Sequence, residues 1–167
     1  MISIGGENLI DLVSGAAAAN GLPQYVANPG GSPFNVAMAS GRQGQKVAYL
    51  TPVSEDALGA LLAERLVESK VTLAAGRVPH PTSLAVVSIT DGIPSYAFHR
   101  NGTAERQVTK RALHNDMPAE TKLFHVGSLG LIEGDDADTW EAFFADCRSR
   151  GIMTSLDPNV RPGLEHL

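Results

Sequence analysis

One cysteine, Cys147, occurs in 167 residues, so no disulfide can close within the chain. A lone thiol fits a reducing compartment and points to the cytoplasm. Basic residues are few and scattered, 13 against 18 acidic, for a net charge of −5. That excludes the clustered positive face that nucleic-acid binding needs. No apolar run approaches the roughly 20 residues that span a bilayer, so no membrane segment is expected. Residues 1–15 lack a basic n-region and are interrupted by Glu7, Asn8 and Asp11, and are therefore not read as a signal peptide. Five histidines and the cysteine are spread without metal-ligand spacing, and no metal site is expected. Two phosphate-loop patterns are missing as well. No Gly-Lys-Ser/Thr follows Gly30-Gly31, and the third glycine of a dinucleotide fingerprint is absent.

What remains is a chain of one-domain length with 43% apolar residues, enough to bury a core. Its centre of interest is Pro29 to Gly44, PGGSPFNVAMASGRQG. Ser32 reads as an N-cap and Pro33 as the first helical residue. Gly30 and Gly31 would let a ligand approach the backbone, and Asn35 adds an amide that both donates and accepts. Taken alone, the pair of glycines is more often a tight loop than a binding site.

Met1 to Ser14 alternates apolar and polar residues and reads as a strand followed by more extended chain, with Glu7 and Asp11 on one face. That face is either solvated or turned toward the Gly30-Gly31 loop, where Asp11 would accept from ligand hydroxyls. Lys46 to Thr51 is a short buried strand, and Ser54 is expected to cap a helix running to about Ser69. Helix, strand and helix in that order predict α/β layering with parallel strands. Ser83 to Arg100 is a hairpin through Asp91-Gly92, with Pro94 at an edge. Lys122 to Ser128 is another buried strand, whose His125 reads as a core residue. Trp140, Phe143, Phe144 and Cys147 form the apolar stripe of a helix over Asp138 to Arg150. Ile152 to Leu156 is a last strand, running into Asp157, Asn159 and Arg161. At the carboxyl end of a parallel strand those three either line a ligand crevice or form a polar loop.

Three segments, GENLID (Gly6 to Asp11), PGGSPFNVAMASGRQG (Pro29 to Gly44) and DPNVR (Asp157 to Arg161), together resemble the amino-terminal half of the ribokinase/PfkB family of sugar kinases, the fructokinase-like branch in particular. FHVGSLGLI (Phe124 to Ile132), PTSLAVV (Pro81 to Val87) and VSEDALG (Val53 to Gly59) are similar to that branch too, with Ser54 where the family usually has glycine. The resemblance implies an α/β fold: a mostly parallel central sheet flanked by helices, with a small β-sheet lid from about residues 9–28 and 83–100. It implies Asp11, Gly30, Gly31 and Asn35 around sugar hydroxyls, Phe98 and Arg100 in the lid facing the substrate, and Asn159 and Arg161 where sugar meets phosphate. Residues 1–167 would then be the amino-terminal part of one domain that supplies sugar site and lid. The GAGD-type motif carrying the family's catalytic aspartate does not occur here, so that base is expected in the carboxyl-terminal half. The implied activity is ATP-dependent phosphorylation of a ketose, fructose first, with Mg2+, in a protein that pairs through its lid as a homodimer. A 2-keto-3-deoxygluconate kinase and a catalytically silent sugar-binding fragment are the alternatives.

Overall fold

Apolar strands too short to stand alone are covered by amphipathic helices on both sides. The structure, a computed structural model, describes residues 1–90 and 93–160. The Asp91-Gly92 link and Arg161 therefore lie outside the described residues. Strands β1 (Ile2–Gly6), β4 (Val47–Tyr49), β6 (Val71–Leu73), β10 (Leu123–Gly127) and β11 (Met153–Asp157) form one parallel sheet in the order β11-β10-β1-β4-β6. The alternation of β1 divides the core. Ile2 and Ile4 join Val47 and Tyr49 under helices α1 (Ser32–Arg42) and α2 (Ala57–Glu68), with Phe34, Leu62 and Leu66 completing that side. On the other face Phe124 and Val126 pack on Trp140, Phe143 and Cys147 of helix α4 (Asp135–Ser149), and Leu113 of helix α3 (Lys110–Asp116) closes the cluster. The aromatic stripe is thus a core face. Burial there pushes the Cys147 thiol up to about 11, which leaves it a packing residue.

A second sheet stands over the carboxyl end of the first. It has the order β3-β2-β8-β9, built from β2 (Leu9–Ser14), β3 (Tyr25–Gly30), β8 (Leu84–Thr90) and β9 (Ile93–His99). The β8–β9 pairing is antiparallel with Thr90 opposite Ile93, a two-residue hairpin register, and β9 is the edge that tolerates Pro94. Strands β5 (Val53–Ser54) and β7 (Arg77–Val78) make a small third pair.

Three expectations need correction. Glu7 and Asp11 do not share one strand face, because the chain breaks between β1 and β2 at Glu7-Asn8 and both of those residues are buried. Ser32 is not the N-cap of α1. Gly31 holds that position at φ 110°, a conformation that favours glycine, and Ser32 is already helical. Ser54 does not cap α2 either. Asp56 does, accepting from the Gly59 N–H at 2.7 Å, while Ser54 is buried in β5.

Asp56 also accepts from the Thr82 N–H and hydroxyl at 2.8 and 2.6 Å, tying α2 to the stem of β8. Burial raises its carboxyl, but these bonds outweigh that and hold it at about 2, below its ordinary 3.8. Asp56→Ala is therefore expected to cost about 1–2 kcal/mol, the range of a lost cap. A lowered carboxyl contributes stability above its unfolded value and loses it as pH falls through the folded one. Thermal melts of the two proteins should accordingly differ at pH 7 and converge toward pH 2. A constant gap across that range would contradict the assignment.

Candidate functional site

Strand order reverses at β1. From it the chain moves through α1 to β4 and β6 on one side, while β10 and β11 add on the other. Open α/β sheets bind ligands at such a reversal, outside the carboxyl ends of the strands. A cavity of about 490 Å³ lies there, roofed by the four-stranded sheet. Asp11 enters it from β2, Gly31 and Asn35 from the start of α1, Phe98 from β9 and Asn159 from the turn after β11. Gly30 sits behind Asp11, where a Cβ would run into the Asp11 carboxylate. Six of the eight positions singled out in the sequence thus converge on one cavity or its wall.

Arg100 is placed elsewhere, and this corrects the expectation that it faces the cavity. Its Nε and Nη2 donate to Glu105 at 2.7 and 3.1 Å, and its Nη1 donates to the Leu129 carbonyl at 2.9 Å. Burial pulls the guanidinium down, but Glu105 more than offsets this and keeps it above its ordinary value. His125 is buried in the sheet with Nδ1 3.0 Å from the Ser155 hydroxyl, and its burial lowers its pKa.

The floor is a polar network that sequence reasoning passed over. Glu7, 2% exposed, accepts from the Ser32 N–H at 2.8 Å and from the Gly130 N–H at 3.4 Å. It does at the start of α1 what a cap side chain would do. Desolvation raises its carboxyl; hydrogen bonds from the Ser32 N–H and the Ser128 hydroxyl lower it, and the net value stays above 4.5. Asn159, left-handed at φ 44°, donates its backbone N–H to Asp157 Oδ1 and its side-chain amide to the Ser128 hydroxyl, at 3.0 and 3.3 Å. Ser128 is itself left-handed at φ 57°. Two non-glycine residues in that region, side by side at a cavity, are the kind of strain that sites retain. Overhead, the Tyr96 and Phe98 rings stack 5.9 Å apart at 6° and give the roof a flat aromatic patch. A carboxylate and two amides opposite aromatic faces suit a small polyhydroxylated ligand: the polar groups pair with hydroxyls and the rings cover C–H faces.

Residues 3–167 match the pfkB family carbohydrate kinase profile. The chain belongs to that family. Among curated pfkB relatives, a fructokinase from Rhizobium leguminosarum bv. trifolii is 35% identical over 164 residues, covering 98% of this chain and 49% of the relative. A solved fructokinase from Xylella fastidiosa, also known with bound ATP, superposes with a TM-score of 0.87 at 26% identity, covering 98% of this chain and 53% of that one. A fructokinase from Vibrio cholerae O395 bound to fructose, ADP and calcium gives 0.78 at 25% identity, covering 99% and 52%. The chain spans about half the length of the relatives it matches. Its parallel sheet with flanking helices and a smaller sheet is the ribokinase-like architecture of pfkB kinases.

Proposed function

We propose that this pfkB chain supplies the sugar site and lid of an ATP-dependent fructokinase. The observation that carries this is the convergence of Asp11, Asn35 and Asn159 beneath the stacked Tyr96 and Phe98 rings. In this reading residues 1–167 are the amino-terminal part of one ribokinase-like domain. Asp11 accepts from sugar hydroxyls, and Asn35 and Asn159 each donate and accept. Gly30 and Gly31 let the sugar approach the backbone. The four-stranded sheet closes over the bound sugar and excludes water, which would otherwise compete as phosphoryl acceptor.

ATP supplies the phosphoryl group, with Mg2+ as the counter-ion to its phosphates. Among the described residues no three His, Cys, Asp or Glu side chains converge as a cation site. In this reading the residues of this chain bind and orient the sugar. The exposed Tyr25 and Val26 of β3 favour a homodimer that pairs through the lid. No helix among the described residues is long and apolar enough to cross a membrane, and the lone cysteine favours the cytoplasm.

A sugar panel with ATP tests the assignment in the full protein that carries this chain. Fructose should show the highest kcat/KM, about tenfold or more above ribose, since a site built to pair hydroxyls penalises their loss or displacement. A panel in which ribose or a nucleoside leads would sink the assignment.

A further inference from the structure

Next to the sugar cavity lies a second one of about 440 Å³, which shares Phe98 and Leu129 with it and is also lined by Arg100 and Arg106. Two guanidinium groups in one pocket suggest an anion site, yet each is already matched. Arg106 donates from Nε and Nη2 to Asp136 Oδ1 at 3.0 and 2.6 Å, and from Nη2 to the Glu133 carbonyl at 2.9 Å. Arg100 is gripped by Glu105 through two bonds, and Glu105 is 1% exposed. Glu105 also lies 2.9 Å from the Ser83 hydroxyl, so it joins the entry to β8 and the exit of β9. The second cavity thus contains cations whose charge is cancelled by buried carboxylates.

We propose that Glu105 sets the charge selectivity of the sugar site: by holding Arg100 it keeps the adjoining cavity neutral, so the site takes a neutral ketose and rejects a sugar acid. The proposal rests on the sugar-kinase reading. A sugar acid whose hydroxyl end occupies the Asp11–Asn35–Asn159 cavity extends toward Phe98 and Leu129, and Arg100 is the cation behind that boundary. With Glu105 ionised beside it, an incoming carboxylate meets a charge already paired and a like charge next to it. Discrimination of this kind comes from repulsion as much as from attraction. Removing the charge at position 105 leaves Arg100 buried without a counter-ion, a state that a ligand carboxylate relieves by a charge-assisted pair. Glu105 is a positioning residue here, because it acts through Arg100.

The test is calorimetric titration of fructose and of 2-keto-3-deoxygluconate into the full protein, its E105Q and E105D variants, and the R100Q/E105Q double variant. The wild type should prefer fructose by about tenfold or more, and E105Q should shift the ratio of the two affinities toward the acid by about tenfold or more. E105D retains the charge and should leave the ratio unchanged. The double variant removes both charges and should return to the wild-type ratio. A purely structural role for Glu105 would weaken both ligands together and leave their ratio alone. Retained fructose binding with an unchanged ratio in E105Q overturns the proposal while leaving the sugar reading intact. So does a wild type that takes both ligands equally, a result that needs no variant to fold. If E105Q does not fold, the double variant decides, since one that gains affinity for the acid overturns the proposal. Failure of the wild type to bind either sugar removes the sugar reading and this proposal with it.

Discussion

Asp11→Ala is expected to raise the dissociation constant for fructose by about 10- to 100-fold while leaving the melting temperature within a few degrees of wild type. The affinity loss follows from the kind of bond involved. A hydrogen bond to a charged acceptor is worth about 1.5–3 kcal/mol, and each 1.4 kcal/mol is tenfold. Asp11 lies in the middle of β2, opposite Asn28 of β3 and Ala85 of β8, and is only half-buried. Its removal opens no core cavity, so the stability change should stay within the small range of surface substitutions. Asn35→Ala removes neutral bonds and should cost less, about threefold to tenfold in affinity. Gly30→Ala offers an independent check that leaves the carboxylate in place: the added methyl meets Asp11, so the side chain must turn aside. It should reproduce part of the Asp11→Ala loss. Titration of the three variants with fructose checks all of this, and unchanged affinity in Asp11→Ala and Asn35→Ala would remove the sugar from this cavity.

Asp11, Asn35 and Asn159 are legible because each stands out against its own element, whereas Phe98 is reached only through the family resemblance. A carboxylate in an apolar alternation, an amide one turn into an Ala-rich helix and an amide after a terminal strand are all local anomalies. The parallel sheet was legible for a similar reason, since short apolar strands alternate with amphipathic helices. What escaped is what depends on the third dimension. Glu7 looks like one more polar residue in an alternating strand, and only the break at Asn8 turns it inward. The acceptor at the start of α1 is invisible locally because it is 25 residues away in sequence, on Glu7. The partner of Arg100 is hidden from the sequence, because Glu105 lies beyond the end of the hairpin, in a single 3-10 turn over Ala104–Arg106. The spacing Arg-x4-Glu carries no helical or strand periodicity that would announce a pair. Asp56 took the cap from Ser54 for a simpler reason: two capping residues lie two apart, and Ser54 was committed to a buried strand.

Glu7 is the residue through which the fold and the site depend on each other, and Glu7→Ala should be the more damaging substitution of the two. It leaves the half-buried Ser32 and the buried Gly130 N–H groups without their acceptor and opens a void where α1, β1 and the Ser128–Leu131 turn meet. Each unsatisfied buried donor costs about 1–3 kcal/mol, so a total of about 2–5 kcal/mol is expected. Because Ser32 follows Gly31 and Gly130 follows Leu129, the same change loosens two walls of the cavity, and fructose affinity should fall along with stability. Glu7→Gln separates the two effects. Gln retains an acceptor for Ser32, puts an NH2 group where Gly130 needs an acceptor and introduces no buried charge, so it should cost about 1–3 kcal/mol, less than Glu7→Ala. The pH dependence identifies the cause. Burial holds the Glu7 carboxyl above its ordinary 4.5, so the folded chain binds that proton more tightly than the unfolded chain does. Its contribution is therefore complete below pH 4.5 and declines as pH rises through the folded value. Glu7→Gln should lack that decline, so its melting temperature relative to wild type should climb between pH 4.5 and neutrality. A difference that stays flat over this interval would mean that the carboxyl is not desolvated in the folded protein, and the network beneath the sugar cavity would have to be reassigned.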